Sequence, residues 1–458
     1  MNRIAGRATA VLLLAAILLG GLSFFLVEYA MEAENWVLFS GSPHIYDSQT
    51  GRLEGMFTVD REGALLLDLR DGRTYARDSL IRQATLHWTG DTLGNIRVPF
   101  YGTYLEELIG FSHLNGLYHY ADQDAKVTLT ISGALQSVAL KALADRRGTV
   151  AIMNYETGEI LCAVSNPSFD PEDPPQITDE NLDQWEGVYL NRFTQALYVP
   201  GSIFKIVTLA AALETLPDIE SMTFHCSGKV EFGGNWVRCE VAHGTMDLKT
   251  AFARSCNCTF GQIGQMLGEE TLLECITQFG LTRSMSFDGI TTEAGSVELD
   301  GVGPLALAWS AVGQHKDQIN PAGFLAFLSA IARGGVEVSP YIVQSVSIGA
   351  DTTYNAQTRE GKRIMSVTTA ETIQAYLRNN VLTVYGPEKF GILPACGKSG
   401  TAEIDGDRKS NALFTGFVQD ETYPLAFICI VENGGYGSTA CIPVLARILD
   451  ACVENLPE

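Results

Sequence analysis

The sequence is poor in basic residues and contains no basic cluster. Its 31 Lys and Arg residues stand against 53 Asp and Glu, which gives a net charge of −22 over 458 residues. An acidic surface of this kind repels polyphosphates, so nucleic acids are excluded as partners. The chain also lacks internal repeats and low-complexity segments. Its 46% hydrophobic content is sufficient for a large core divided over two or three domains.

The ten cysteines include no Cys-x-x-Cys pair. Cys256 and Cys258 have no histidine at the spacing of a zinc site, so we predict no metal site. Cys226 and Cys239 flank KVEFGGNWV, an alternating pattern that is typical of a hairpin. Outside the cell these two residues could form a disulfide, and the sequence leaves open whether they do.

One long apolar run is present, close to the N-terminus. Arg3 and Arg7 precede an uncharged stretch, residues 8–27, with about the 20 residues that span a bilayer as a helix. The basic residues before the run and the acidic residues after it predict a cytoplasmic N-terminus and an extracytoplasmic remainder. A cleaved signal peptide is the alternative, but Glu28 stands where a cleavage site ending at Ala30 needs a small residue. We therefore expect a retained, single-pass membrane anchor.

Changes of pattern along the chain predict three parts. Residues 1–33 form a cytoplasmic stub and transmembrane anchor. Residues 34–146 contain short β-like runs, such as GALLLDLRDGRTY and TLHWTGDTLGNIRV, and form a small β-rich docking or pedestal module. Residues 147–458 have strands at both ends and helices between them. We expect an α+β fold in which an antiparallel sheet, closed by the first and last segments, is flanked by helices and carries a helical subdomain.

The stretch YVPGSIFKIV, residues 198–207, has an unusual combination of residues for a helix start. Pro200 and the apolar run predict a helix N-terminus with Ser202 as its N-cap. Lys205 follows where the helix dipole favours an acid. One turn apart on one face, the amine of Lys205 could reach the Ser202 hydroxyl, and burial would lower its pKa until it acts as a base. The alternative is a capping serine beside a snorkelling lysine.

Two further short motifs occur once each. Ser255-Cys256-Asn257 follows the helical run LKTAFARS, and Lys398-Ser399-Gly400 lies in the strand-like GKSGTAEI. Gly400 lacks a side chain, so another backbone could lie against this strand and a peptide could pair with it. Taken singly, the first motif is better explained as a polar helix C-terminus, and the second has the alternative of a surface β-strand with an incidental lysine.

Taken together and in this order, Ser-x-x-Lys, Ser-x-Asn and Lys-Ser-Gly resemble the motif set of class B penicillin-binding proteins, the membrane-anchored peptidoglycan D,D-transpeptidases. TGEILCAVSNPSFDP, NRFTQALYVPGSIFK, HGTMDLKTAFARSCN and GKSGTAEI are similar to blocks of that family's transpeptidase domain. The resemblance covers residues 147–458 and implies the penicillin-binding transpeptidase fold. One departure is Asn411-Ala412-Leu413-Phe414, where relatives often have His-Ala-Trp-Phe.

The resemblance also implies a role for each motif residue. Ser202 is the nucleophile, Lys205 is its base, and Ser255 relays the proton to the leaving amine. Asn257 binds the substrate's side-chain amide and steadies the lysine. The C-terminal carboxylate of a stem peptide ending in D-Ala-D-Ala is bound by the remaining set: Lys398, Ser399, Gly400 and Thr401. The backbone N–H groups of Ser202 and Thr401 form the oxyanion hole.

The same resemblance implies acylation of Ser202 by β-lactams, no cofactor, and a SEDS-type membrane glycosyltransferase as partner. Two alternatives remain open. A β-lactamase shares the motifs but needs a deacylation glutamate loop, which is not recognisable in this sequence. A non-enzymatic β-lactam sensor usually has more membrane spans and a cytoplasmic effector. A pseudoenzyme scaffold that activates a glycosyltransferase is expected to have lost a motif residue, and all of them are present here. The sequence does not distinguish roles in elongation, division or sporulation.

Overall fold

A computed structural model of the protein describes residues 2–37, 55–70, 72–109, 111–112, 116–117, 124–403 and 409–456. The first helix, α1 (Asn2–Val37), contains an apolar stretch, Ala5–Tyr29, with a mean hydropathy of 2.7. This stretch is long and apolar enough to cross a membrane, and it buries none of its side chains against the rest of the chain. The expected N-terminal apolar helix is therefore present, while its orientation stays a prediction.

The following part of the chain contains short strands and helices. They are β1 (Met56–Val59), β2 (Leu65–Asp68), β3 (Thr74–Tyr75), α2 (Ser79–Thr89), α3 (Phe100–Thr103), α4 (Leu105–Ile109), β4 (Phe111–Ser112), β5 (Gly116–Leu117), β6 (Ala125–Leu129) and α5 (Gly133–Leu143). The prediction of a β-like run at TLHWT is wrong, because these residues end α2. Asp78 caps that helix by accepting a hydrogen bond from the Leu80 N–H at 2.8 Å, and the buried Trp88 indole donates to the Ala163 carbonyl.

The larger part of the chain alternates between strands and helices. Its elements are β7 (Gly148–Asn154), β8 (Ile160–Asn166), α6 (Leu182–Trp185), α7 (Arg192–Gln195), α8 (Lys205–Thr215), β9 (Thr223–Cys226), β10 (Lys229–Phe232), β11 (Asn235–Arg238), β12 (Gly244–Asp247), α9 (Leu248–Ala253), α10 (Asn257–Gln278), β13 (Ser286–Phe287), β14 (Ile290–Thr291), α11 (Pro304–Val312), α12 (Pro321–Ala332), β15 (Val336–Val338), β16 (Val343–Ile348), β17 (Asp351–Asn355), β18 (Glu360–Arg363), α13 (Val367–Asn380), β19 (Ala395–Ala402), β20 (Asn411–Val418), β21 (Leu425–Val431), α14 (Gly437–Ala440) and α15 (Ile442–Asn455).

The central sheet is antiparallel and has the strand order β19-β20-β21-β7-β8. The first strand of this part, β7, pairs with the last, β21, so that Gly148 lies opposite Val431. This pairing confirms the predicted sheet closed by the first and last segments, with the helices inserted between them. The sequence Asp405-Gly406-Asp407 predicts a short turn between the strands of this segment, and these residues lie outside the described part of the chain. Strand β19, which carries the Lys-Ser-Gly motif, forms one edge of the sheet.

Both faces of the central sheet are buried, as the apolar composition of its strands predicts. Side chains alternate between the faces along a strand. On β7, Val150 and Ile152 pack into a cluster with α5 and α15, whereas Ala151 and Met153 join a second cluster that contains α8 and α12. Helix α8 therefore lies in the interior, and its residues 205–212 are all buried. A lysine at its first position is held away from water by this packing.

A second sheet combines both predicted domains. Its order is β17-β16-β6-β1-β2-β3, in which β6 pairs in parallel with β1 and in antiparallel with β16. The strands of residues 56–129 are thus continuous with strands from residues 343–355. The division of the chain at residue 147 stays a prediction, but the module before it is joined to the larger part by strand pairing.

Candidate active site

Ser202 lies in a 3-10 turn, Gly201–Phe204, that leads directly into α8. The prediction that Ser202 caps the helix is wrong, because the turn has no side-chain capping bond and α8 begins at Lys205. The turn is held from outside the helix. The Gly201 N–H donates to the Gly313 carbonyl at 2.8 Å, and Gly201 has a φ of 55°, which favours glycine. This arrangement leaves the Ser202 hydroxyl free to interact with Lys205.

The Lys205 amine is fully buried and lies at the centre of the motif residues. Its Nζ is 3.0 Å from the Ser202 Oγ and 3.0 Å from the Ser255 Oγ. The Ser255 carbonyl, at 2.7 Å, and the Asn257 Oδ1, at 2.6 Å, complete its surroundings. The structure thus brings together the first two motifs, which are about 50 residues apart in the sequence.

The four neighbours of Lys205 differ in what they can accept or donate. The Ser255 carbonyl and the Asn257 Oδ1 can only accept hydrogen bonds, whereas the two hydroxyls can do both. A neutral amine has two N–H groups and one lone pair. Since the two obligate acceptors occupy the two N–H groups, the lone pair is available to a hydroxyl proton. This geometry suits Lys205 to remove the proton from Ser202.

Burial lowers the pKa of Lys205 from 10.5 to about 7, and the negative charge of the ionised forms of Cys239, Cys256 and Cys258 partly opposes the effect. The cause is the loss of hydration, which penalises the charged ammonium. A substantial fraction of Lys205 is therefore neutral near pH 7, as a general base requires.

The second motif is placed by a sharp turn between two helices. Helix α9 ends at Ala253, Ser255 adopts a left-handed φ of 53°, and α10 begins at Asn257. The side chain of Cys256 caps α10 by accepting from the Thr259 N–H. The turn directs the Ser255 and Asn257 side chains towards Lys205. The sequence predicted the helix before the motif but not this change of direction.

Lys398 enters the same group from β19. It is fully buried, and its Nζ lies 3.0 Å from the Ser255 Oγ and 3.0 Å from the Ser399 carbonyl. The Ser255 hydroxyl therefore bridges two lysines. Burial lowers the pKa of Lys398, and the charge of Lys205 lowers it further. Because two neighbouring ammonium groups repel each other, a proton on one disfavours a proton on the other.

The edge strand β19 lies close to the turn that carries Ser202. A Cβ on Gly400 would lie 2.8 Å from the Pro200 carbonyl oxygen, so only glycine permits this approach. The strand is the expected β-strand. The backbone that approaches Gly400 in the structure is that of Pro200 and Ile203, on either side of Ser202, while pairing of a peptide with this strand stays a prediction.

Tyr385 and Gln314 lie outside this strand and help to hold it in position. The Tyr385 hydroxyl accepts from the Ser399 N–H at 2.9 Å and lies 2.9 Å from the Ser399 Oγ. The Gln314 amide donates to the Thr401 carbonyl at 2.8 Å. Both residues lie in segments remote from the motifs they support, and no local pattern in the sequence indicates their partners.

The cysteines near the second motif are arranged differently from the expectation. Cys226 and Cys239 are free thiols in the structure, without the disulfide that the sequence left open. The Cys239 sulfur lies 3.7 Å from that of Cys256 and 3.5 Å from that of Cys258, and the Cys226 sulfur lies 3.5 Å from the His243 Nδ1. The linear spacing of these residues gave no indication that the fold would bring Cys226, Cys239, His243 and Cys256 together. The expected absence of a metal site stays a prediction.

Comparisons with known proteins identify the domain that carries this site. Residues 148–450 match the family model described as the penicillin binding protein transpeptidase domain. Stage V sporulation protein D of Bacillus subtilis is 30% identical over 357 residues, which cover 73% of this chain and 53% of that protein. Peptidoglycan D,D-transpeptidase PbpA of Mycobacterium tuberculosis is 26% identical and matches 68% of both chains. The chain thus spans about half the length of the first relative and about two thirds of the second.

The fold has close counterparts among solved structures. The D,D-transpeptidase domain of a peptidoglycan glycosyltransferase from Eggerthella lenta superposes with a TM-score of 0.73 at 24% identity. The match covers 88% of this chain and 99% of that domain. The match therefore includes residues before 147 as well as the central sheet, and it supports a common fold over nearly the whole chain.

Proposed function

The chain belongs to the penicillin-binding protein transpeptidase family, of the class B type, and from this premise we propose that it is a serine D,D-transpeptidase that cross-links peptidoglycan stem peptides. The observation that carries the proposal is the position of the buried Lys205 amine. It lies 3.0 Å from the Ser202 Oγ while two obligate acceptors hold its N–H groups.

In the first half of the reaction, the Ser202 Oγ attacks the carbonyl carbon of the penultimate D-Ala. Lys205 takes the hydroxyl proton as the new C–O bond forms. The C–N bond to the terminal D-Ala then breaks, and the leaving amine receives a proton through the Ser255 Oγ, which contacts both lysines. The products are free D-Ala and an ester between the donor peptide and Ser202.

In the second half, the amine of a neighbouring stem peptide attacks this ester. The amine gives up a proton along the same route, and the Ser202 oxygen leaves with a proton returned from Lys205. The new amide bond is the cross-link, and the enzyme is restored without a cofactor. Backbone N–H groups of Ser202 and Thr401 stabilise the oxyanion in both halves, a contribution of about 3 kcal/mol per donor.

The donor peptide is proposed to bind along β19. An edge strand presents unpaired backbone groups with which an extended peptide can form a further strand. Lys398 and the hydroxyls of Ser399 and Thr401 then lie near its C-terminal carboxylate. Asn257 binds the side-chain amide of the donor and keeps Lys205 in position, a role supported by its 2.6 Å contact with the amine.

The membrane arrangement is part of the same proposal. Helix α1 is a retained anchor with its N-terminus in the cytoplasm, because basic residues precede the apolar stretch and acidic residues follow it. The catalytic part then lies outside the membrane, where peptidoglycan is assembled. A SEDS-type glycosyltransferase, which would supply uncross-linked glycan, is the proposed membrane partner.

The proposal can be tested by labelling the full-length, detergent-solubilised protein with a fluorescent penicillin. We expect persistent label on the wild type, none on Ser202→Ala, and normal labelling of the control Ser284→Ala, which changes an exposed serine. Rapid release of the label would instead identify a β-lactamase, and absence of label would identify a scaffold. A donor stem peptide and a labelled D-amino acid acceptor then test for D-Ala release and formation of the new amide.

A further inference from the structure

A compact group of metal-ligating side chains lies beside the second motif. The sulfur atoms of Cys226, Cys239 and Cys256 and a ring nitrogen of His243 all lie within 4.8 Å of one another. Cys226 and Cys256 are fully buried, whereas Cys239 and His243 are half-buried. None of these four side chains takes part in a chemical step of the proposed acyl transfer.

The separations within the group agree with tetrahedral coordination. With Zn–S bonds of about 2.3 Å, two sulfur ligands of a tetrahedral zinc ion lie about 3.8 Å apart, and a sulfur and a nitrogen ligand lie about 3.6 Å apart. The Cys239 and Cys256 sulfurs are 3.7 Å apart, and the Cys226 sulfur is 3.5 Å from the His243 Nδ1. A disulfide would need two of these sulfurs at about 2.05 Å. The two measured separations agree with co-ligands of one ion, and the other pairs in the group lie within 4.8 Å.

The fold builds this group from three segments that lie next to one another. Cys226 ends β9 and is paired with Gly244 of β12, the residue after His243. Cys239 follows the hairpin formed by β10 and β11, and Cys256 caps α10. The ligands therefore sit on paired strands and a helix end, which are rigid supports for a coordination site.

The sulfur atoms also receive the hydrogen bonds that stabilise thiolates. The Thr259 N–H and hydroxyl donate to the Cys256 sulfur at 3.4 and 3.3 Å. The Cys258 N–H donates to the Cys239 sulfur at 3.4 Å. Such donors around the ligands orient them and stabilise their negative charge.

We propose that Cys226, Cys239, His243 and Cys256 bind a zinc ion in a closed, structural site. Three soft thiolates and one imidazole select zinc over magnesium and calcium, which prefer oxygen ligands. Four protein ligands leave no position for a reacting water, so the ion is structural. The thiols lose their protons to solvent when the ion binds. Cys258, whose sulfur lies 3.5 Å from that of Cys239, stays outside the coordination sphere.

The zinc site connects directly to the acylation machinery, a consequence that rests on the proposed function. Cys256 stands between Ser255 and Asn257, both of which contact the Lys205 amine. The Asn257 Nδ2 donates to the Arg238 carbonyl at 2.9 Å, one residue before the ligand Cys239. The ion thus joins the two segments that place the second motif against the lysine, and Cys256 and Cys239 are positioning residues.

Metal content of the full-length protein is the primary test. After purification without chelators, we expect about one zinc ion per chain by elemental analysis. Replacement by cobalt should give thiolate-to-cobalt charge-transfer bands and visible absorption of tetrahedral cobalt. Cys239→Ser and His243→Gln, at half-buried positions, should lose the ion and these bands. The matched controls Cys275→Ser and His225→Gln change residues outside the group and should keep both, while Cys258→Ser should also keep the ion.

The effect on acylation is measured separately. Removal of zinc by a chelator should slow labelling by fluorescent penicillin roughly 10- to 100-fold, because the second motif is misplaced, and added zinc but not magnesium should restore it. Absence of metal from the wild type even after zinc is added would overturn the proposal. So would an intact mass lower by two hydrogens with a Cys239–Cys256 or Cys239–Cys258 disulfide. Zinc binding in a protein that no penicillin labels would instead leave the site intact and refute the proposed function.

Discussion

Replacement of Lys205 by arginine tests the base that the proposed reaction requires. Arginine keeps the positive charge and can donate to the Ser255 carbonyl and the Asn257 Oδ1, but it does not deprotonate in proteins. If Lys205 acts as a neutral base, Lys205→Arg must lose acylation even where the fold is unchanged. If the lysine served only as a fixed cation or a packing residue, much of the activity would survive.

The size of the loss follows from the burial of the amine. With a pKa of about 7, about half of Lys205 is neutral at pH 7. A lysine with an ordinary pKa is neutral to only roughly 0.04% at this pH, so burial raises the population of the base about a thousandfold. This factor lies within the range of roughly 100 to 10,000 for a positioned general base. We therefore expect Lys205→Arg to lower the second-order rate of acylation about a thousandfold.

The assay is the rate of labelling by a fluorescent penicillin as a function of pH. Because the neutral amine is the reactive form, the wild-type rate should rise with pH through about 7 and then level off. The residual rate of Lys205→Arg should lack this rise. Lys389→Arg, at an exposed position, is the matched control and should behave as the wild type. Thermal unfolding of each variant identifies any loss of fold, and Lys205→Met provides a smaller replacement that also lacks a base.

Two results would refute the reasoning. The first is labelling of folded Lys205→Arg at the wild-type rate, which would show that the lysine is not the base. The second is a wild-type rate with no change of slope between about pH 6 and pH 8, which would show that the buried amine does not titrate in the range that its surroundings imply.

Three further predictions concern the edge strand. Gly400→Ala should abolish penicillin labelling while leaving the protein folded, because the new methyl group would displace the turn that carries Ser202. Labelling at the wild-type rate would contradict the close approach. Tyr385→Phe removes both contacts with Ser399. It should slow acylation roughly tenfold, because a lost hydrogen bond costs about 1.5 kcal/mol. An unchanged rate would show that Ser399 is held by other groups. Gln314→Ala should slow acylation by a similar factor without changing the pH profile of the rate, since Gln314 supports the Thr401 carbonyl and not the base. A shifted pH profile would count against this role.

Much of the site was predictable because its motifs depend on local geometry. Ser202 and Lys205 are three residues apart, and one helical turn brings such residues together whatever the rest of the fold does. The strand containing Gly400 was predicted from its composition, and the apolar N-terminal run from its length. The wrong N-cap shows the limit of this reasoning. A cap at Ser202 was favoured by residue type, but a contact between Gly201 and the distant Gly313 carbonyl sets the turn instead.

The sequence by itself determined the motif residues, their order and the covalent chemistry available to them, since these follow from residue type and short spacing. Only the tertiary structure decided that the Ser255 hydroxyl lies between two lysines and that Tyr385 supports Ser399. It alone brought Cys226, Cys239, His243 and Cys256 into one group. The physical reason is the same in each case. These contacts join segments that are far apart in the sequence, and no local pattern of residues indicates that the segments meet. The contacts are fixed by the packing of the sheet and helices around the buried amine of Lys205.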